Sequence, residues 1–307
     1  MNIQRININL RGTISILRMR AGWCFGFSLL LICLIFSSCY NDNIDRVIGN
    51  EKLDTDLQNN ILNKDVNLAH DGVSEIIHNM HLQMGGSEFL KKQKDVTFEL
   101  TSEEVHTGKK DISIEKYIFQ DHYSSGSYYV HHWEVFPEIE ESIHQSLSQN
   151  DISLSFSDKP IIDNRLNQEV FWTRHTNYFE FTMFFRLLEK QFILKGLGKR
   201  KINGISYNLI RVSFNPKIEP ENNTIYILYI NPRTNIVDQY VYSIPKQGIL
   251  EPNILVKLEY ETVENIKLPV RRTIYYTNRK GASPGKVLSR KTISNVQFNN
   301  GFTQSIE

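Results

Sequence analysis

The chain has 307 residues, of which 40% are hydrophobic, 22% are charged and 11% are aromatic. This is the composition of a globular protein, and the length allows one large domain or two small ones. The formal net charge is +1, from 35 basic and 34 acidic residues. Nucleic-acid binders usually carry a clear basic excess, so this balance argues against that class. The three cysteines are too few for a disulfide scaffold.

The N-terminal residues have the pattern of an export signal. Residues 1–38 contain four arginines and no acid, and they include the apolar run Phe25–Phe36. A basic start, a short apolar run and small residues before a cleavage point are typical of a signal peptide. The apolar run has 12 residues, whereas a transmembrane helix needs about 20. The pattern predicts a signal peptide over residues 1–38, with the start codon at Met1 or Met19.

The end of this signal predicts a lipid anchor. The segment Phe36-Ser37-Ser38-Cys39 resembles a bacterial lipobox, in which the cysteine is acylated and becomes the first residue after cleavage. Acyl chains such as palmitate, at about 0.8 kcal/mol per buried CH₂, would hold Cys39 stably on a membrane. We expect Cys39 to be the lipid-attachment residue of an outer-membrane lipoprotein that faces the periplasm or the cell surface. The alternative is an ordinary signal peptide or short anchor that ends in a cysteine.

Cleavage before Cys39 would also remove the other two cysteines. The remaining chain then has 31 basic and 34 acidic residues. With no second cysteine, the domain can form no internal disulfide, and it has neither a cysteine nucleophile nor a cysteine zinc site.

A polar tether and a helix are expected next. Residues 39–60 are rich in Asn and Asp and lack periodicity, which predicts a lipidated N-terminus followed by a flexible tether. In residues 61–84 apolar side chains recur every three or four positions, which predicts a helix. Gly85 and Gly86 follow as a stop signal.

Two histidines lie on one flank of this predicted helix. His78 and His81 are three residues apart and could share a metal ion. No acidic residue stands at a matching helical spacing, and the sequence contains no HExxH motif. We therefore expect a solvated helix edge and no metal site.

The pattern changes to that of strands from residue 94 onward. Val96–Thr101 alternates apolar and polar residues. Ser113–Gln120 and Tyr128–Val135 read as strands of a hairpin whose turn contains Tyr123–Ser127. Glu138–Ser148 reads as a short polar helix or loop.

Residues 170–194 form the most aromatic stretch of the chain. Such density is more typical of a core than of a ligand surface. Strands at even spacing follow this stretch, and Asn203-Gly204 is a hairpin signal between two of them. The segment Asn231–Asn235 has the composition of a turn. The predicted strands are Ile205–Phe214, Thr224–Ile230, Ile236–Ile244, Ile254–Glu261, Lys267–Thr277 and Val287–Phe298.

These elements predict an α+β fold with a single domain over residues 61–307. The linking segments are short enough for antiparallel neighbours. Thr224–Ile230 is apolar on both faces, so we expect it to be covered on both sides. The architecture we predict is one curved antiparallel sheet, with the helix over 61–84 and the aromatic segment in its concave face.

The order of these pieces resembles a family of uncharacterised Gram-negative lipoproteins, domain of unknown function 6503. The matching segments are Met84–Gly86, Phe181–Leu187, Lys201–Tyr207 with Arg211–Phe214, and Tyr226–Asn235. Phe184 stands where that family usually carries proline. The family is similar in layout to the lipoprotein carriers LolA and LolB. The resemblance implies a half-open antiparallel barrel with helices in its concave face, and it points to the binding of acyl chains.

The function we expect is binding of lipid or another apolar or acylated ligand in this half-barrel. The candidate lining residues are Trp133, Phe181, Phe184, Phe185 and Tyr226. The alternative is a structural or interaction lipoprotein of the envelope that binds a protein partner and no small ligand. The sequence contains no GxSxG elbow, P-loop or EF-hand loop, so we expect no enzyme and no cofactor. We further expect a monomer.

Two basic runs bear on the same function. Lys195–Lys201 contains four basic residues, and Arg271–Lys291 contains seven and no acid. They could meet anionic lipid headgroups. Solvated strand faces and loops explain such runs more often.

Overall fold

The computed structural model describes residues 70–86, 88, 92–149, 151–219, 222–277 and 284–302. All of them belong to Asp65–Glu307, the second of two compact units of the chain. The predicted signal peptide, Cys39 and the tether lie outside the described residues, as do residues 61–69 of the first predicted helix. The domain boundaries given above therefore remain predictions.

Helix α1 spans His70–Gln83. Its apolar stripe, which includes Ile77, Met80 and the following Met84, is fully buried. Gly85 and Gly86 have φ angles of 113° and 103°, a conformation that L side chains rarely adopt. The predicted helix and its glycine stop are thus confirmed for the described part.

Helix α2 spans Asn164–Arg186 and carries most of the aromatic stretch. Asp163 caps its N-terminus, since the Asp163 Oδ1 accepts hydrogen bonds from the backbone N–H groups of Arg165 at 2.8 Å and Leu166 at 3.1 Å. Buried side chains recur along the helix at three- and four-residue intervals. They are Val170, Arg174, Tyr178, Phe181, Thr182, Met183, Phe184 and Phe185.

In the described part of the chain, thirteen strands form one antiparallel sheet that is curved and does not close. They are β1 (Asp95–Glu104), β2 (Lys110–Ile118), β3 (Tyr123–His131), β4 (Ile143–Ser148), β5 (Asp151–Phe156), β6 (Lys159–Pro160), β7 (Phe192–Ile202), β8 (Ile205–Phe214), β9 (Tyr226–Ile230), β10 (Val237–Ile244), β11 (Ile249–Val263), β12 (Ile266–Thr277) and β13 (Pro284–Phe298).

The strand order is β6-β5-β4-β3-β2-β1-β13-β12-β11-β10-β9-β8-β7. Each run of consecutive strands forms a meander, and β13 pairs with β1 to join the two runs. The strands β6 and β7 are therefore the edges, and α2 is the connection between them. The predicted α+β class and the antiparallel sheet are confirmed.

Two predicted turns lie where the sequence indicated. Asn203 and Gly204, at φ angles of 48° and 83°, connect β7 to β8, as expected for a two-residue hairpin loop with both residues left-handed. Between β9 and β10, the backbone N–H of Asn235 donates to the carbonyl of Asn231 at 2.7 Å.

Two predictions in the first half of the sheet were wrong. Tyr123–Ser127 is the first part of β3 and not a turn. Its small residues read as a turn, but Gly126 is small because the guanidinium of Arg174 lies against it. Ile143–Ser148, predicted as helix or loop, is β4, in which alternate side chains are buried.

Apolar side chains are buried on both faces of the sheet. The main core lies on the face that carries α1 and α2 and extends from β1 to β13. A smaller cluster on the opposite face, the outer face, contains Tyr207, Leu209, Tyr229, Val241 and Leu255. Strand β9 contributes to both clusters, which confirms the prediction that this strand is covered on two sides.

Candidate functional site

Helix α2 contacts strands close to both edges of the sheet. Near its start, Val170 packs in one cluster with Ile143 of β4 and Leu154 of β5. Nine residues later, the ring of Phe179 lies 5.7 Å from that of Phe214 in β8 and 5.6 Å from that of Tyr226 in β9. The candidate site is the helix-facing side of the sheet around these contacts.

Six aromatic rings cover the helix-facing side at the β7–β10 end. We call Phe179, Phe192, Phe214, Tyr226, Tyr240 and Tyr242 the aromatic wall. Tyr226 and Tyr242 stack at 5.7 Å, and Tyr240 lies 6.0 Å from each of them. Phe179, Tyr226 and Tyr242 are only partly buried. Phe192, Phe214 and Tyr240 are buried. The wall is therefore an edge of the main core at which the described residues leave three rings incompletely covered.

The three tyrosines of the aromatic wall make no hydrogen bond through their hydroxyl groups to any described residue. Burial raises the pKa of Tyr226, Tyr240 and Tyr242, and the nearby Glu180 carboxylate raises each further. All three are therefore neutral at physiological pH. They present polar tips on an otherwise apolar surface.

A charged cluster adjoins the wall, and we define it as Glu134, Glu180, Arg272 and Lys291. The Lys291 Nζ lies 3.0 Å from the Glu180 Oε2, and the Arg272 Nη2 donates to the backbone carbonyl of Glu180 at 2.8 Å. Burial raises the pKa of Glu134 to about 7, while Lys291 acts to lower it. The Glu134 side chain is exposed, and it also lines the small cavity described next.

The interior between α2 and the first strands is nearly filled. A cavity of about 30 Å³ is lined by residues of β1–β3, α2 and β13, among them Asp111 and Asn177. That volume is about that of one water molecule. The Asp111 carboxylate accepts hydrogen bonds from the backbone N–H groups of residues 133–135 at 2.8–3.2 Å, which positions Glu134 at the rim.

A buried ion pair joins the middle of α2 to β2. The Arg174 Nη1 donates to the Glu115 Oε2 at 2.7 Å, and neither side chain has any exposed surface. The hydroxyls of Ser113 and Tyr117 donate to the same carboxylate at 2.6 and 3.0 Å, and the Arg174 Nη2 donates to the Tyr128 hydroxyl. Every oxygen of Glu115 is thus paired, as a buried carboxylate requires.

The structure places the five predicted lining residues in different environments. Phe181, Phe184 and Phe185 belong to the main core, with exposures of 4%, 1% and 6%. Trp133 is partly buried in the segment after β3. Tyr226 lies in the aromatic wall. The lining assignment itself remains a prediction for all five.

His81 differs from the sequence expectation, because it is buried and does not lie on a solvated edge. Its Nε2 hydrogen-bonds to the backbone carbonyl of Phe184 at 2.8 Å, which ties α1 to α2. Burial lowers the pKa of His81, although this hydrogen bond raises it. No cluster of three or more potential metal ligands occurs among the described residues.

The described part of the second basic run is largely paired within the sheet. Arg271 lies 2.8 Å from the Glu259 carboxylate, and Arg290 lies 3.4 Å from that of Glu103. Arg272 and Lys291 contact Glu180, as above. This pairing favours the interpretation of these residues as strand faces. None of the described helices is long and apolar enough to span a membrane.

Several solved structures are similar to this chain. A DUF1329 family protein from Desulfovibrio piger is 11% identical over 75% of this chain and 95% of that one, with a TM-score of 0.44. A LolA superfamily protein from Nitrosomonas europaea is 10% identical over 74% and 94%, with a TM-score of 0.44. The Mycobacterium tuberculosis lipoprotein LppX is 12% identical over 75% and 98%, with a TM-score of 0.27.

No family model and no curated protein matches the sequence. One of these neighbours is a LolA superfamily protein, and another is a lipoprotein. The family number 6503 remains a prediction.

Proposed function

We propose that this chain is a lipid-anchored envelope protein that binds the acyl chain of a lipid or acylated molecule at the aromatic wall. The partial exposure of that wall, on the helix-facing side of a curved sheet, is the observation that carries the proposal. The activity we propose is binding without catalysis. The ligand is held by apolar contact, and no cofactor is needed.

The reach of α2 supports its placement in the concave face of the sheet. Val170 and Phe179 are nine residues apart, which is about 14 Å along a helix. Their partners in β5 and β8 are ten strand positions apart, or about 48 Å measured along the sheet. A helix can meet both strands over so short a length only if the sheet bends around it. The aromatic wall then lies inside the bend.

The wall is better suited to an acyl chain than the small inner cavity is. Ligand pockets usually enclose about 300 Å³ or more, and the inner cavity has about a tenth of that. At the wall, a chain would cover the accessible surface of Phe179, Tyr226 and Tyr242. Each Å² of apolar surface removed from water contributes roughly 25 cal/mol. The unbonded tyrosine hydroxyls can then meet the polar end of the same molecule.

The location we propose comes from the N-terminal pattern. The signal over residues 1–38 would direct export, and acylated Cys39 would hold the domain on the outer membrane as a monomer. A tether over 39–60 would let the domain reach lipids of the membrane around the anchored Cys39. These assignments are tested by mass analysis of the N-terminal peptide of the membrane fraction.

A second candidate function is a structural or interaction lipoprotein with a protein partner. The filled core favours it, because Phe181, Phe184 and Phe185 occupy the space on which an inner ligand would depend. The inner cavity holds no more than about one water molecule. In this alternative the aromatic wall is only part of the core, and it binds nothing.

Mass spectrometry of the unlipidated protein separates the two functions. The protein begins at residue 39 with Cys39→Ser, is purified without detergent, and is compared under native and denaturing conditions. We expect a stoichiometric adduct of acyl-chain mass that is lost on denaturation. Tyr226→Asp should remove it, because a charged group in the wall would have to be desolvated by the bound chain.

Trp172→Asp is the matched control, since Trp172 is an exposed aromatic residue outside the wall. This variant should keep the adduct, and circular dichroism should show both variants folded. A bare polypeptide mass that takes up neither fatty acid nor phospholipid would exclude the binding function. The search would then turn to protein partners.

A further inference from the structure

A groove of about 270 Å³ crosses the outer face of β2–β5. This is the face of the sheet that does not carry α2. Gly126 and Tyr128 face the guanidinium of Arg174 in α2, so Ser127 between them points to the outer face. The side chains that shape the groove are Ile114, Ser127, Tyr129, His144, Ser155 and Asp158. Its volume approaches the lower end of the range for small-molecule sites.

The floor of the groove is a polar row across three strands. Ser127, His144 and Ser155 are direct neighbours in β3, β4 and β5. The Ser127 Oγ and the His144 Nδ1 are hydrogen-bonded at 2.9 Å. Burial lowers the pKa of His144, so the ring is neutral near pH 7. Its Nε2 has no partner among the described residues and is available to a ligand as donor or acceptor.

A β-bulge supplies one wall of the groove. The register of β2 and β3 shifts between Ile112 and Ser113, which leaves Tyr129 as the extra residue of β3. Bulges redirect side chains in this way. Tyr129 is 55% exposed, and its hydroxyl donates to the Glu99 Oε2 at 2.9 Å, which fixes the ring. With the adjacent Ile114, it forms a flat apolar surface beside the polar row.

A two-residue hairpin turn supplies the rim. Ser157 and Asp158, between β5 and β6, have φ angles of 46° and 62°, although glycine is the usual residue in this conformation. The Ser157 N–H donates to the carbonyl of Ser142 at 2.9 Å, and this bond helps to hold the turn over the groove.

We propose that this outer groove binds one unit of a neutral saccharide. A sugar ring has an apolar face and a rim of hydroxyls that both donate and accept. Tyr129 and Ile114 offer the matching flat apolar surface, and Ser127, Ser155 and the His144 Nε2 offer donors and acceptors at its edge. None of the described lining residues is a lysine or arginine, so the groove itself offers a phosphate no cationic partner, and Asp158 adds a negative charge at the rim. Lys116, which helps to lower the pKa of His144, lies outside the lining.

The Ser127–His144 pair does not make the groove an acyl-transfer site. Such chemistry needs backbone N–H groups aimed at a developing oxyanion. Over Ser124–Tyr128, strand β3 is paired with β2 on one side and β4 on the other, so its N–H groups belong to the ladders. The pair orients the imidazole for binding.

Imidazole NMR of the full chain tests this site directly. The protein is kept on its anchor in a detergent without a sugar headgroup and is titrated with the N-acetylglucosamine trimer, the glucose trimer and glucose 6-phosphate. We expect a neutral trimer to shift the His144 resonances at about 1 mM and to leave those of His132 in place. The trimer that shifts these resonances shows whether the ligand is an amino-sugar glycan or a glucose polymer.

Variants keep the test independent of the acyl-chain proposal. Tyr129→Ala should weaken saccharide binding at least about tenfold, equivalent to about 1.4 kcal/mol, and Ser127→Val should weaken it less. Trp172→Ala, outside the groove, should change nothing. If no neutral saccharide shifts His144, or if glucose 6-phosphate shifts it as strongly as either trimer, the proposal is wrong. Tyr226→Asp should leave this binding intact.

Discussion

Two regions of α2, around Arg174 and around Phe179, meet the sheet through different contacts. In the first half, Arg174 enters a network in which Glu115, Tyr117 and Tyr128 are all hydrogen-bonded. In the second half, Phe179 packs against aromatic rings of β7–β9, and the tyrosine hydroxyls of the wall bond no described residue. The neighbouring Glu180 adds an ion pair with the partly exposed Lys291. A fully buried ion pair and a partly exposed aromatic surface thus lie on one 23-residue helix.

This difference separates anchoring from binding. A buried ion pair tolerates little movement, because separation of the charges leaves each one unpaired in a medium of low dielectric. Apolar packing is less directional, so rings can be displaced by another apolar group with little loss. Under the proposed function, the Arg174 network fixes α2 in the sheet, and the rings around Phe179 exchange contacts with a ligand.

Removal of the ion pair should have the largest effect on stability. Arg174→Ala leaves Glu115 charged and buried without its partner, and we expect a loss of about 3–5 kcal/mol in the free energy of unfolding. Urea unfolding measures it. Arg271→Ala, which breaks an exposed pair with Glu259, should cost no more than about 1 kcal/mol. Equal costs for the two variants would contradict the anchoring role.

The same small change in each half should have unequal effects. Tyr117→Phe removes a hydrogen bond to the buried Glu115 carboxylate, which should cost about 1.5–3 kcal/mol. Tyr242→Phe removes a hydroxyl that bonds no described residue, so its cost should stay within about 0.5 kcal/mol. Both are read from urea unfolding at pH 7. A cost for Tyr242→Phe as large as that for Tyr117→Phe would show that the wall is also a polar network.

The contact between the helices should give the smallest effect, and it depends on pH. The pKa of His81 is lower in the fold than its usual value of 6.5, so the unfolded chain takes up a proton first as the pH falls. Stability from His81 is therefore present above about pH 6.5 and is lost below it. Unfolding measured from pH 7.5 to 5.5 should show this loss as a difference between the wild type and a variant that does not titrate at this position.

His81→Gln is the control for that pH series. Its amide can donate to the carbonyl of Phe184 but does not titrate. The raised pKa of Glu134 acts in the opposite direction over the same range, but it is common to both proteins and cancels in their difference. A difference that stays constant with pH would show that His81 titrates alike in the folded and unfolded chain.

The sequence was most informative where one periodic pattern decided the structure. The strand Ile205–Phe214 was predicted with the bounds that the structure shows, and the apolar stripe of α1 was read from its spacing. The ion pair between α2 and β2 could not be predicted, because Arg174 and Glu115 are 59 residues apart and neither position has a distinctive local pattern. The segment Tyr123–Ser127 was predicted as a turn for the same reason, since the contact of Gly126 with Arg174 leaves no local pattern.

The candidate site was predictable only in part. Aromatic density drew attention to Phe181, Phe184, Phe185 and Tyr226, but spacing alone does not tell which rings are enclosed by other elements and which stay accessible. That depends on how the two runs of strands meet through β13 and β1. The outer groove had no sequence signal, since Ser127, His144 and Ser155 meet only through strand register.

Cross-linking with a photoreactive fatty acid tests the central claim most directly. The unlipidated Cys39→Ser protein is irradiated with the ligand bound, and the modified peptides are located by mass spectrometry. We predict adducts on the segment of α2 that contains Phe179 and on the strands that contain Tyr226 and Tyr242. Adducts confined to the outer face around Tyr129, or none at all, would contradict an acyl-chain site at the aromatic wall.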